Sequence, residues 1–482
     1  MKARRLDSDF ELQGKWWIGD GSNLPDDAVS GSLQFERAGD ITLSLDGHLA
    51  QENTNDLSSR MRSVFSAEPF RTPTILGFSP EGERYTLIGV LRTEAMFSMH
   101  GYPRSVFEGT RLIIGKHVVN PDVSQFKSAN MSISGLEESM NLQGFSPPMQ
   151  DGDNLSFKWT NKQDQFEISI PLIKATLKGR LLCEATFPGV SLQASGFAVL
   201  ELTPEVPVSL DWVTDQYFRL ANLMSLLNGF PSCATSIGVR CVDDGEKEAH
   251  LYLPLNRAKV PSKISYLDVL IPLCSLNHHS ALETVVNNWF GLPQDLRDLV
   301  ELFIGIVSAP HMYTRLEFLV YCQILESFHR SHVGGEYMTR KDFARHLRVI
   351  AKAIPEELTQ KHRDRVRQSL SFAYELTAAD RITELLATLP ANLVKHVTDD
   401  QDLFVRKIVA TRNYLTHYPP TLRDKSLDEN SMAMTNYALR NIIRYLFLSV
   451  LAVPAEFLCN SLERTKDWRT YSQLRGVLPW TV

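Results

Sequence analysis

Cysteine is scarce and scattered in this 482-residue chain: the six thiols, Cys183, Cys233, Cys241, Cys274, Cys322 and Cys459, include no Cys-x-x-Cys pair. That pattern argues for a reducing cytoplasm and against a structural zinc site. No run of 18 or more apolar residues occurs, so nothing reads as a membrane-spanning helix. The opening Met1-Lys2-Ala3-Arg4-Arg5-Leu6-Asp7 is basic without an apolar core and does not read as a secretory signal. Also missing are a Gly-x-x-x-x-Gly-Lys-Ser/Thr loop, a Gly-x-Ser-x-Gly elbow and a His-Glu-x-x-His pair. Their absence argues against a nucleotide triphosphatase or a serine hydrolase. His278-His279 has no further ligand at metal spacing, so neither a metal nor a cofactor is expected.

What is present is ordinary globular composition, 43% apolar and 22% charged, in a length that predicts about two to four domains. The net charge of −6 hides an asymmetry. Residues 311–482 hold 24 Lys and Arg against 19 Asp and Glu, or +5, which leaves 26 against 37, or −11, for residues 1–310. A +5 domain is compatible with RNA but falls short of a composition that would indicate nucleic-acid binding unaided.

Hydrophobic patterning divides the chain in the same place. From Phe10 to about Val208, short alternating apolar runs separated by Gly, Pro, Asp and Asn read as strands of a sandwich or barrel-like sheet. Ile41, Leu43 and Leu45 fall on one face. Tyr85 to Leu91 and Arg111 to Ile114 read as buried strands, Asn154–Thr160 and Gln165–Ile170 as a hairpin, and Trp16-Trp17 as one core and one surface residue. Asp211 to Gly229 switches to helical spacing and stops at Asn228-Gly229. Two strands follow, Thr235–Val242 and Glu248–Leu253, about a charged turn at Asp243 to Glu246. Beyond Ser280 nearly everything reads as helix: 280–290, 294–307, 311–331, 339–352, 355–376, 379–387, 399–418 and 430–451. The expected organisation is α+β, with a β-rich, sandwich-like domain over 1–275, a helical connector over 276–310 and a helical bundle over 311–482. The basic run Lys361-His362-Arg363-Asp364-Arg365-Val366-Arg367 is read first as a solvated face, with an RNA track as the alternative.

The most informative stretch is Arg412-Asn413-Tyr414-Leu415-Thr416-His417-Tyr418-Pro419-Pro420. Asn413 and His417 stand one helical turn apart, close enough for the amide to orient the imidazole, and Arg412 flanks the pair. The prolines must end the helix at or before Tyr418, leaving His417 in the final turn, where the helix dipole favours imidazolium. An imidazole beside a permanent cation suits phosphodiester cleavage in RNA without a metal: one moves the proton, the other neutralises phosphoryl charge. Capping and surface pairing are the plainer explanation of the same residues.

Arg, a polar residue, three variable residues and His near a helix end resemble the signature of the HEPN ribonucleases, matched here by Arg412, Asn413 and His417. With Gly14-Lys15-Trp16-Trp17, Gly31 to Phe35 and Ile41 to Gly47 in front, and Leu325-Glu326-Ser327-Phe328 in an early helix, the whole chain resembles the ApeA-like HEPN proteins. The resemblance implies a homodimeric endoribonuclease of prokaryotic antiviral defence (abortive infection), acting on tRNA or other cellular or viral RNA. Its front domain would sense a trigger, such as a phage-derived protein, or restrain the nuclease. Arg412 and His417 would be catalytic, Asn413 orienting and Glu326 supporting; an ion pair from Glu326 to Arg330, four residues on, is the alternative for Glu326. Tyr414 and Tyr418 would stack on a base or fill a core. Arg406, Lys407, Arg440 and Arg444 are candidate RNA contacts, the last two equally placed for salt bridges within the bundle. A non-catalytic module that binds RNA or a protein, with a ligand-sensing front domain, is the rival reading.

Overall fold

A computed structural model describes residues 5–481 except 7, 20–22, 38, 50–70, 97–102, 124, 147–148, 152–153, 157, 187–188, 190–191, 244, 246, 255–262 and 310–311. The first four residues, Asp7 and part of the turn at 243–246 therefore lie outside the described residues. The chain forms two compact units, Met1–Gly291 and Leu292–Val482.

The first unit is built on a closed antiparallel barrel, not a sandwich. Its strands are β1 (Phe10–Trp17), β2 (Val29–Phe35), β3 (Ile41–Leu45), β4 (Arg71–Phe78), β5 (Arg84–Met96) and β6 (Arg104–Gly109). They run in the order β5-β4-β1-β2-β3-β6 and return to β5. Ile41, Leu43 and Leu45 point inward with Leu33, Phe35, Ile75 and Leu87, all buried. Closure depends on β5, which is long enough to serve two neighbours along one edge. Tyr85 to Ile88 pair with β7 (Arg111–Ile114), whereas Leu91 to Met96 pair with β6 across a bulge. The switch falls at Gly89, in the left-handed region at φ 65°, where a Cβ would come within 2.3 Å of the Thr110 Oγ1. Only glycine takes up this conformation without strain.

From β7 the sheet continues outward through β8 (Phe126–Ile133), β11 (Asp164–Ile170), β12 (Ala175–Thr186), β13 (Gln193–Pro204), β14 (Ala234–Cys241) and β15 (Glu248–Tyr252), in the order β7-β15-β14-β8-β13-β12-β11. A separate two-stranded ribbon pairs β9 (Met149–Asp151) with β10 (Asn154–Ser156). The hairpin expected across Asn161 to Asp164 does not form. Asn161 instead accepts from the Gln143 backbone and donates to the Gly144 carbonyl, while β11 pairs with β12. Trp16 and Trp17 are both buried, contrary to the alternation, because Trp17 is covered by Phe78 and His117 on the opposite face of β1.

Helices of this unit are α1 (Leu136–Ser139), α2 (Leu210–Asn228), α3 (Leu273–His278) and α4 (Leu282–Phe290). Ser209 caps the start of α2 and Gly229, at φ 78°, ends it. Arg219 of α2 lies over the Phe290 ring and donates to the Phe290 carbonyl. The stretch read as a connector is thus divided, α4 packing with the sheet unit.

The second unit holds α5 (Gln294–Ser308), α6 (Thr314–Phe328), α7 (Arg340–Lys352), α8 (Gln360–Leu370), α9 (Ala378–Thr388), α10 (Ala391–Val397), α11 (Gln401–His417), α12 (Glu429–Val450), α13 (Ala455–Leu462) and α14 (Lys466–Leu474). The single helix expected over 355–376 is shortened, since Thr359 caps α8 and the helix ends at Leu370. Three helices, α10, α13 and α14, were not anticipated. α6 occupies the centre, with α5, α9, α11 and α12 packed around it.

Gly89→Ala is expected to destabilise the first unit by about 1–3 kcal/mol through the left-handed strain alone, read as a lower urea midpoint, with the second unit's unfolding unchanged.

Candidate active site

α11 begins at the Asp400 cap, whose carboxylate accepts from the Leu403 N–H, and ends where Tyr418 turns left-handed at φ 50° immediately before Pro419. Proline bars Tyr418 from continuing the helix, so His417 is its last residue. Phe404, Val405, Ile408, Thr411 and Leu415 form the buried stripe. Arg412 and Asn413 sit at its margin, half-buried, and His417 is exposed.

The guanidinium of Arg412 is held on two sides. Its Nε lies 3.2 Å from Glu326 Oε1 and its Nη2 donates to Glu326 Oε2 at 3.3 Å, a forked arrangement across α11 and α6. Nη1 donates to the Asn413 side-chain oxygen at 3.0 Å. The side chain of Glu326 is 12% exposed and that of Arg412 34%, so the carboxylate is inside and the cation spans to the surface. Three of five guanidinium N–H groups are engaged, leaving two for an anion.

Two expectations are corrected here. Glu326 does not pair with Arg330. α6 gives way after Phe328 to a π-helical turn, His329–Val333, whose wider winding carries Arg330 toward Glu375, 3.7 Å away. Nor does Asn413 orient the imidazole: its carboxamide oxygen serves Arg412, and His417 makes no hydrogen bond or ion pair among the described residues.

One turn before Glu326 on α6 lies Cys322, which is buried. Burial pushes its thiol up, and Glu326 adds to this while Arg412 opposes it. The thiol stays protonated at neutral pH and is no nucleophile. Tyr414 and Tyr418 meet edge to face at 5.4 Å and Tyr418 is 59% exposed, so they do not fill a core. Arg406 is exposed, and at about 100° per residue it falls on the same stripe of α11 as Asn413 and His417. Lys407 falls beside Tyr414. Neither cation has an ion pair among the described residues.

Arg440 and Arg444 face the other way, into the bundle. Arg440 donates to Glu317 at 2.5 Å, to Asp467 at 3.0 Å and to the Tyr321 hydroxyl at 3.0 Å, and Arg444 pairs with Asp467. Of the two roles open to them, the salt bridge is the one their geometry supports. Burial would raise the Asp467 carboxyl, but Arg444 and Arg440 outweigh it and hold it below the ordinary value.

Asp467→Asn is therefore expected to cost about 3–5 kcal/mol at neutral pH, because buried Arg444 and Arg440 lose the carboxylate they share, Arg440 keeping Glu317. The folded-state value is depressed, so this contribution is present above the unfolded carboxyl's value near 4 and fades as pH falls through the folded one. Urea titrations of wild type and variant should converge in acid.

Two families match the chain: ApeA N-terminal domain 1 over residues 11–289 and Apea-like HEPN over residues 319–457. The second span contains Glu326, Arg412, Asn413 and His417. No curated protein and no solved structure matches.

Proposed function

We infer the function from the family: this chain belongs to the ApeA-like HEPN proteins, whose HEPN module is associated with antiviral defence and generally with ribonucleases. We propose that it is a cytoplasmic, metal-independent endoribonuclease and that the front unit senses infection or restrains cleavage until then. The observation that supports this best is the Arg412 guanidinium, forked on Glu326 and bonded to Asn413, with the unencumbered imidazole of His417 one turn beyond Asn413.

In this reading the 2′-hydroxyl attacks the adjacent phosphorus as a base takes its proton. The new 2′-O–P bond forms while the P–O5′ bond breaks, and an acid delivers a proton to the departing O5′. The two outward N–H groups of Arg412 receive the charge that grows on the non-bridging oxygens. The products are a 2′,3′-cyclic phosphate and a 5′-hydroxyl. One chain supplies one His417, and the reaction asks for a base and an acid. A homodimer with two such elements facing one cleft supplies both, as the family resemblance implies. Tyr414 and Tyr418 then offer ring faces for a base beside the scissile phosphate.

Total-RNA integrity and growth, compared in cells expressing wild type, Arg412→Ala or His417→Ala with and without phage challenge, test the reading. Cleavage is expected in wild type only; intact RNA in all three, with wild-type protection retained, would establish the binding-module alternative. Glu326→Gln keeps the shape but loosens the fork, and a fall of about ten- to a hundredfold in kcat at nearly constant KM is expected from misplacement of the guanidinium.

A further inference from the structure

Between Gly335 and Leu376 the chain leaves the bundle and returns at one point. Glu336 pairs with Glu375 as an antiparallel bridge and the Tyr337 N–H donates to the Tyr374 carbonyl at 2.9 Å. Everything between is an arm made of α7 and α8. Its packing is slight: α7 buries only Phe343, which meets Tyr374, and α8 buries nothing.

The arm also carries the whole charge surplus of this half. Residues 339–372 hold 9 Lys and Arg against 4 Asp and Glu, which leaves 15 against 15 for the rest of 311–482. Within the arm only Arg345 and Arg367 form ion pairs among the described residues, with Asp342 and Asp364. α8 buries no residue and presents four cations in seven residues, Lys361 to Arg367; Arg363 donates to Gln360 and Arg365 to Gln368 along the same helix, and none of the four serves the packing of the bundle. Around the neck Tyr337 and Phe372 are exposed rings, and an open pocket of about 660 Å³ is lined by Arg330 and Arg381 together with Glu336 and Glu375, the last of which pairs with both arginines. The neck is continuous with α6. Arg330 follows Glu326 by four residues, about 6 Å along the axis at 1.5 Å per residue.

We propose that this arm is the substrate-holding surface of the enzyme, binding the phosphodiester backbone of RNA and presenting it to Arg412 and His417. The proposal rests on the nuclease reading for its purpose. Charge complementarity selects the occupant: a cationic face with a net surplus of five charges suits a polyphosphate, and it makes binding sequence-tolerant and salt-dependent.

The test measures binding of a fluorescein-labelled single-stranded RNA to full-length His417→Ala protein, which would hold substrate without cutting it. Binding is compared with and without the added changes Lys361→Gln, Arg363→Gln, Arg365→Gln and Arg367→Gln. Loss of about four phosphate contacts should flatten the slope of log K against log salt by roughly 3, at about 0.7 per contact, and weaken binding at least tenfold near physiological salt. Exchanging Lys and Arg at the same four positions should preserve both, and an unchanged melting temperature would show that the fold is intact. Unchanged affinity and slope in the Gln variant would overturn the proposal, as would a change confined to oligomeric state, which would make the arm a protein interface. Cleavage by wild type is scored separately. Arm-dependent binding without cleavage would sink the nuclease reading and leave the arm as an RNA-binding surface.

Discussion

Two carboxylates on one buried helix set the terms for the helical unit. α6 buries Phe318, Tyr321, Cys322, Ile324, Leu325 and Phe328, yet also carries Glu317 and Glu326, whose side chains are 16% and 12% exposed. Charges so placed must be neutralised, and each takes an arginine from a different helix: Arg440 of α12 for Glu317, Arg412 of α11 for Glu326. Replacing a buried ion pair by an apolar pair of equal volume is often neutral or stabilising, so stability alone is a weak reason for such pairs. What they add is position. The register of α11 against α6 is the one in which the fork closes, and the guanidinium is placed by the same contacts that fold the unit.

The two principal residues of the motif are treated differently. Arg412 is clamped, whereas His417 ends a helix whose next residue is in a sparsely populated backbone region ahead of a proline. Strain of this kind persists where the surroundings enforce it, and here it cuts the helix so that the imidazole stands in the last turn instead of being covered by a further one. A fixed cation suits a group whose task is to meet developing charge. In the proposed reaction a free imidazole suits a group that exchanges protons.

Much of this was legible in the sequence because it is local. The stop at Pro419, the stop of α2 at Gly229 and the stripe through Ile41, Leu43 and Leu45 are read from neighbours a few residues away, and the spacing of Arg412, Asn413 and His417 is of the same kind. What was not legible depends on partners far along the chain. Glu326 had a plausible mate at Arg330, and only the π-helical turn and the approach of α11 redirect it to Arg412, 86 residues away. Barrel closure likewise rests on one strand dividing its edge between β6 and β7, for which Gly89 is a signal that looks like any other glycine. Trp17 breaks the alternation because His117, from another part of the chain, covers it.

The distribution of charge follows from the same separation of tasks. Inside the bundle each buried arginine among the described residues has an assigned anion: Arg440 and Arg444 share Asp467, Arg440 also takes Glu317, and Arg381 lies near Glu375 and beside His329. Such pairing is obligatory where water is absent, and it leaves no field at the surface. A cationic field has to be built where desolvation costs little, on a segment that packs against almost nothing. The arm meets that condition, since Lys361 and Arg365 remain hydrated and their mutual repulsion is screened by salt. Stability and a cationic surface field make opposite demands on arginine and lysine, and this fold assigns the demands to different helices.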